Sequence, residues 1–344
     1  MDKDLKNKTA GELEEIVSGF GEKKYLAGYI FSFIHCKNIS DVGEVFTLSK
    51  NFRRKLAEEN FYISQLKTIK KLTDHDGTVK YLFELGDGVR IESVLLSDGE
   101  RKTLCISCQG GCRMGCVFCA TGQLKFSRNL SGGEIADQVN QVTADCGKIN
   151  NVVYMGMGEP MDNYEEVIRS VRILNDAAGM NIGQRHITIS TCGLVDGICK
   201  FADEGLGVRL AISLHGVRDD VRGWIMAVAK KYPLAKVIEA VKNYQQKTGR
   251  RVTFEYCMIK ELNDSVSDAR GLVKLIGPMK ANVNLIEYNR HKGCEFSASS
   301  KNQIRRFAEI LTDGGIEVNI RYKRGQKINA ACGQLGADKL KIKD

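Results

Sequence analysis

From about residue 103 onward the chain alternates between short apolar runs rich in β-branched residues and longer runs with helical periodicity. Seven runs read as strands (TLCISC, NNVVYMG, HITIST, VRLAISL, VTFEYCMI, NVNLIEY and EVNIRY), and six helical runs lie between them, from GEIADQVNQVTADC to SKNQIRRFAEILTD. Strands separated by helices do not pair as hairpins. They build a parallel sheet covered by helices, either doubly wound or curled into a barrel, and periodicity does not choose between the two. Ser131 stands three residues before Glu134 at the head of the first of these helices, the pattern of a capping box. Ahead of this region the pattern differs. Residues 9–60 carry apolar positions at three- and four-residue spacing and predict helices. Residues 62–97 form short alternating runs broken by DHDG and GDG, which predicts a small antiparallel β region.

No apolar run reaches the roughly 18 residues of a membrane helix, and the N-terminus is charged where a secretion signal would be apolar. A cytosolic protein with no membrane partner is expected. The formal net charge of +9 suits a polyanion such as nucleic acid, and suits a solvated basic surface equally well. Lys67, Lys70 and Lys71, then Lys230 and Lys231, then Arg321, Lys323, Arg324 and Lys327 form the local basic clusters.

Twelve cysteines in a chain without a secretory signal point to metal or redox chemistry ahead of a disulfide framework, and five of them fall between Cys105 and Cys119. Cys112, Cys116 and Cys119 form C-x3-C-x2-C just after the first strand of the alternating region. Three thiolates at this spacing suit three irons of a cubane and leave the fourth iron open, whereas pure electron-transfer clusters use four cysteines. Cys105 or Cys108 could complete a closed zinc site instead, so spacing alone leaves both metals open. Cys36, Cys146, Cys199 and Cys257 fall in helix or strand patterns and are expected to be packing residues. The single tryptophan, Trp224, is expected in the core with the other aromatic residues.

The C-x3-C-x2-C after one strand and the glycine-rich GMGEP at 156–160 after the next resemble the radical S-adenosylmethionine (SAM) superfamily. DGTVKYLFEL, RIESVLL, CATGQLKFSRNLSGGEI, YMGMGEP, ISTCGLV, LAISLHG, VNLIEYN and INAACGQLG further resemble, nearly in order, the RlmN/Cfr family of RNA methyltransferases, over about residues 20 to 338. GMGEP with proline and the N-terminal helices are closer to the RlmN branch. The resemblance implies an α/β fold: a partial (β/α)6-type radical SAM barrel over 98–332, a helical module over 1–61 of RNA-binding type, a β extension over 62–97 and a tail over 333–344. It implies a [4Fe–4S] cluster on Cys112, Cys116 and Cys119, with SAM contacts at Gly158, Glu159, Ser190, Ser213, Leu214, His215 and Asn289. Cys332 would be methylated by one SAM. A second SAM, cleaved at the cluster, would generate the radical that takes hydrogen from that methyl group, and the carbon would then add to an adenine. Cys105 would resolve the adduct through a disulfide, and Glu92 would act as a base. An adenine ring carbon is a poor nucleophile, so a radical route, with the cofactor carrying the hard chemistry, is a reasonable solution.

The implied activity is C2 methylation of an adenine in 23S rRNA, with tRNA as a second candidate, in a monomer served by an electron donor such as flavodoxin or ferredoxin. The alternatives are C8 methylation or another RNA, as in the Cfr branch, and a zinc-stabilised RNA-binding protein without catalysis. Cys108, Cys192 and Cys294 receive no role from the family pattern. The chain departs from that pattern at Ala227, Val228 and Ala229, where the family has Pro-Ile-Asn, and at Ala298, where it has proline. These departures fall on substrate identity and leave the cysteines untouched.

Overall fold

A computed structural model describes residues 2–291 and 294–339. Residues 340–344 of the expected tail lie outside the described residues. The N-terminal helices are α1 (Ala10–Gly19), α2 (Leu26–His35) and α3 (Lys50–Glu58). Thr9 and Glu12 close a capping box on α1, and Leu13, Val17, Ile30, Ile34, Phe52 and Leu56 supply the buried faces at helical spacing.

The chain then enters β1 (Lys67–Thr73), β2 (Val79–Glu84), β3 (Arg90–Asp98) and β4 (Arg101–Cys105), paired antiparallel in sequence. The two expected turn signals sit at the first two reversals, with Gly77 and Gly88 at positive φ. This β region is continuous with the rest of the sheet. β4 turns parallel and pairs with β5 (Asn151–Tyr154), and β6 (Ile187–Thr191), β7 (Arg209–Ser213), β8 (Val252–Met258), β9 (Ala281–Glu287) and β10 (Glu317–Arg321) follow in order, all parallel. Among the described residues β1 and β10 do not pair, so the ten-stranded sheet is an open, partial barrel. All seven expected parallel strands are present.

Short α4 (Ala120–Gln123) and α5 (Gly132–Cys146) follow β4, and the Ser131–Glu134 capping box starts α5 as the sequence predicts. α6 (Tyr164–Asn175), α7 (Val195–Ala202), α8 (Asp219–Ile225), α9 (Leu234–Thr248), α10 (Val266–Ile276) and α11 (Lys301–Asp313) cover the outer face. Leu210, Ile212, Phe254, Val283 and Leu285 are fully buried in the core of the parallel strands. Ala227, Val228 and Ala229 form a 3-10 turn between α8 and Pro233 that ends with Ala229 buried. The helical module docks through a buried ion pair, Lys6 Nζ to Asp137 Oδ1 at 2.6 Å, with Asp137 Oδ2 also accepting from Leu66 N–H at 2.6 Å. No helix among the described residues is long and apolar enough to cross a membrane.

Candidate active site

The loops that leave β4, the ends of β5 to β9 and the Cys332 segment surround a cavity of about 1000 Å³, its open mouth included. Active sites of βα barrels form on this face, because successive strands deliver loops to one rim. Cys112, Cys116, Cys119, Gly158, Glu159, Ser190, Ser213, His215 and Cys332 all line it. Residues separated by more than 200 positions in sequence thus meet in one cavity. The loop from Cys112 to Cys119 is pinned by Val117 N–H to the Ile225 carbonyl at 3.0 Å and by Cys119 N–H to the Cys116 carbonyl at 3.1 Å. Burial pushes the Cys112 thiol up to about 12 and the Cys116 thiol well above the ordinary cysteine value.

The segment carrying Cys332 docks against that loop. Ala120 N–H donates to the Gly333 carbonyl at 2.8 Å, and Thr121 Oγ1 donates to the Leu335 carbonyl at 2.7 Å. Asn289 Nδ2 donates to the Cys332 carbonyl at 3.1 Å. Gly333 and Gly336 both adopt φ of +82°, which lets the segment fold back on itself. Cys332 stays solvent-accessible as a residue, yet the protein around its sulfur raises the thiol, an effect that Arg321 partly offsets. Cys105, at the end of β4, lies close enough for its ionisation to be coupled to Cys332. Burial first, and then Cys332, push it up to about 12. All twelve cysteines are unpaired, so the disulfide implied between these two is not formed in this structure.

Gly158 is held at φ +104°, and a Cβ there would lie 2.6 Å from Gln109 Cβ and 2.9 Å from Cys108 Sγ, so only glycine fits. The buried Glu159 carboxylate accepts from Met161 N–H at 3.0 Å and from Cys192 N–H at 2.8 Å, tying the loop after β5 to the end of β6. Ser190 and Ser213 hydroxyls stand 3.5 Å apart on adjacent strands. His215 has φ +55°, and its Nδ1 accepts from Cys257 N–H at 3.0 Å. Burial lowers its imidazole to about 3, which keeps it neutral. It packs edge to face on Phe118, with ring centroids 4.8 Å apart.

Three expected residues sit differently. Leu214 is buried outside the cavity lining. Its N–H donates to the Glu255 carbonyl and its own carbonyl accepts from Arg222 Nε, both at 3.0 Å. Asn289 reaches the site through the Cys332 carbonyl. Glu92 lies behind the Cys332 segment, not on the cavity wall. Its Oε2 accepts from Gly336 N–H at 2.9 Å, and its Oε1 is 3.6 Å from Lys80 Nζ, which also pairs with Asp338 at 3.0 Å. β3 presents this side chain toward the C-terminal segment, so its carboxylate is occupied in holding that segment.

Other expectations are corrected. Trp224 is 60% exposed, because α8 turns Val221, Arg222 and Ile225 inward and leaves Trp224 outside against Phe296. Cys36 and Cys199 are exposed, not packed, while Cys257 lines the cavity. Sequence reasoning also missed Glu255. It lines the cavity from β8, accepts from Asn284 Nδ2 at 2.7 Å and lies 3.4 Å from Arg321. The legible signal was a carboxylate inside an otherwise apolar strand, VTFEYCM.

The donor set fits an iron–sulfur cluster with SAM. Among the described residues no three His, Cys, Asp or Glu side chains converge as a single ion requires, which does not suit mononuclear zinc; a cubane, whose ligands bind different irons, makes no such demand. Glu255 Oε2, in a residue of the cavity wall, and Asn289 Oδ1, beside the Cys332 segment, are buried without partners, acceptors suited to a ligand bearing amino and hydroxyl groups.

Residues 106–273 match the radical SAM superfamily, and residues 3–62 match the ribosomal RNA large subunit methyltransferase N-terminal domain. The chain is 44% identical over 336 residues to a probable dual-specificity RNA methyltransferase RlmN of Dictyoglomus turgidum, covering 96% of each protein. It is 45% identical over 334 residues to the protein of the same description from Alkaliphilus oremlandii, covering 96% of this chain and 97% of that one. A solved radical SAM methyltransferase from Sphaerobacter thermophilus superposes with a TM-score of 0.92 at 41% identity, covering 98% of this chain and 100% of the other.

Proposed function

The chain belongs to the RlmN family of radical SAM RNA methyltransferases, and from that membership we propose that it methylates C2 of an adenine in 23S rRNA, with a tRNA adenine as second substrate. The observation that carries this reading is the docking of the Cys332 segment onto the cysteine loop through Ala120, Thr121 and Asn289. A simple SAM-binding or electron-transfer protein has no need of a thiol held at that point.

Cys112, Cys116 and Cys119 would hold the [4Fe–4S] cluster, and the cluster with bound SAM would supply a hydrogen-abstracting radical that no side chain provides. Around it, Glu159 fixes the loop carrying Gly158, and the bonds that His215 accepts from Cys257 N–H and Asn263 Nδ2 tie the turn after β7 to β8 and the loop that follows it. Cys332 accepts a methyl group as a thioether and presents it to the base, since a thiolate is the strong nucleophile the transfer from SAM requires. Arg321, beside both thiols, favours their ionised forms against the burial that opposes them. Cys105 then closes a transient disulfide with Cys332 to release the product. Glu92 acts on this sequence by holding the Cys332 segment through Gly336. The target base leaves its stack to enter the cavity, at a cost of a few kcal/mol that basic and aromatic contacts offset. Exposed Tyr322, followed by Lys323 and Arg324 directly after β10, offers such contacts. An external one-electron donor of the flavodoxin or ferredoxin type and a monomeric state complete the reading.

The test is anaerobic reconstitution followed by incubation with SAM, reductant and unmodified 23S rRNA fragment, with nucleosides read by mass spectrometry. 2-Methyladenosine is expected, and it disappears in Cys332→Ala and Cys116→Ala variants. Formation of 5′-deoxyadenosine without methylated adenine would overturn the substrate assignment, with residues 227–229 the first suspects. 8-Methyladenosine would move the activity to the other ring carbon.

A further inference from the structure

We propose that Arg222 is the built-in counter-charge of the cluster, a buried guanidinium behind Cys116 that favours the reduced state; this rests on the reading of Cys112, Cys116 and Cys119 as cluster ligands. Arg222 is fully buried, with 0% exposure. Its Nε donates to the Leu214 carbonyl at 3.0 Å and its Nη2 to the Cys192 carbonyl at 3.5 Å, while Nη1 is buried without a partner. Both acceptors are neutral. Among the described residues no carboxylate hydrogen-bonds to it. Asp219, the acid that acts on it from a distance, is exposed and accepts from Leu234 N–H at 2.7 Å.

A guanidinium does not shed its proton in a protein, and burying an ion that no carboxylate bonds is unfavourable. Helix α8 nevertheless carries it inward, and the surroundings are cut to its shape. A Cβ at Gly216 would lie 3.0 Å from Arg222 Cγ, and one at Gly193, itself at φ +102°, would lie 3.6 Å from Nη2. Sulfur-bearing residues surround this charge on the cavity side: Cys192, whose carbonyl accepts from Nη2, lines the cavity with Cys116, and both pack against Val221, Ile225 and Met226 of the same stretch of chain. The end of α8 is fastened to the cysteine loop by Val117 N–H to the Ile225 carbonyl, so the helix that carries Arg222 and the loop that carries Cys116 are held together through backbone. Three thiolates around an iron–sulfur core bring net negative charge into this pocket. One further electron from an external one-electron reductant increases it. A fixed positive charge buried beside the cysteine loop favours that uptake. Arg222 is therefore a tuning residue that acts through the cluster and need not touch substrate.

The experiment compares wild type with Arg222→Gln, Arg222→Met and Arg222→Lys in two measurements. Thermal unfolding of the apoproteins should find the neutral variants at least as stable as wild type, because they remove an uncompensated charge, while the gain on cluster assembly should be largest for wild type. In the reconstituted proteins, a dithionite titration followed by electron paramagnetic resonance should find the neutral variants about tenfold less reduced at a fixed potential, about 59 mV lower, with Arg222→Lys near wild type. Neutral variants with the wild-type potential, or neutral apoproteins that fail to fold, would overturn the proposal, since Arg222 would then be a structural donor. Failure of wild type itself to assemble a cluster would overturn the cluster reading, and this inference with it.

Discussion

Replacing Asp137 by alanine strands the ammonium of Lys6. The two side chains are 0% and 1% exposed and 2.6 Å apart, with Asp137 Oδ2 also serving Leu66 N–H. At an effective dielectric near 20, that separation corresponds to about 6 kcal/mol of attraction, set against the cost of having desolvated both ions. Removing one partner of such a pair typically costs about 3–5 kcal/mol, and the orphaned Leu66 N–H belongs to the same loss. The expectation for Asp137→Ala is at least about 3 kcal/mol of destabilisation in urea unfolding of the apoprotein, with early proteolytic release of the segment before residue 66. The double variant Lys6→Met, Asp137→Leu should recover most of it, since an apolar pair of similar volume carries no buried charge. A single variant within about 0.5 kcal/mol of wild type, or a double variant no better than the single, would refute the reasoning: Lys6 would then reach water, and the module would be held by other contacts.

Glu92→Ala frees Gly336 N–H and leaves Lys80 with Asp338 and the Asn329 carbonyl; cluster content should be retained while methyl transfer falls at least about tenfold, and Glu92→Gln, which keeps an acceptor, should lie between the two. Gly158→Ala places a Cβ against Gln109 and Cys108 at a φ that L-residues avoid; SAM binding, read by equilibrium dialysis, should be lost at a stability cost of about 1–3 kcal/mol. His35 is buried without hydrogen-bond partners and its imidazole is lowered to about 3 from 6.5, so the unfolded chain takes up a proton between these values and the folded chain does not. Its contribution to stability is therefore complete above about pH 6.5 and lost toward pH 3, by about 1.4 kcal/mol per unit. Comparing urea unfolding of wild type and His35→Phe from pH 7 to 5 should find a slope in wild type that the variant lacks, growing through pH 6.5 to about one proton near pH 5.

The alternation of strands and helices was readable because parallel strands buried on both faces are continuous apolar runs, and Val152, Ile189, Leu210 and Phe254 are such residues. The cysteine spacing was readable because Cys112, Cys116 and Cys119 lie within eight residues of one loop, where spacing in sequence is spacing in space. Ser131 and Glu134 were readable because a capping box is purely local. What stayed hidden depends on contacts remote in sequence. Glu92 reads as a free carboxylate until β3 is seen to present it to Gly336, 244 residues away. Arg222 and Trp224 share a helix of seven residues, too short for periodicity to say which faces inward. Glu255 and Arg321 lie on β8 and β10, two strands apart, and only sheet order brings them together beside Cys332.

The central claim is that Cys332 carries the transferred carbon. Its most direct test is to incubate the reconstituted protein with SAM bearing a deuterated methyl group, without RNA, and to map the label by peptide mass spectrometry. The label is expected on the peptide containing Cys332, and then on adenine when RNA and reductant are added. Label on RNA while the Cys332 peptide never carries it, or undiminished transfer in Cys332→Ala, would show that Cys332 is not the carrier.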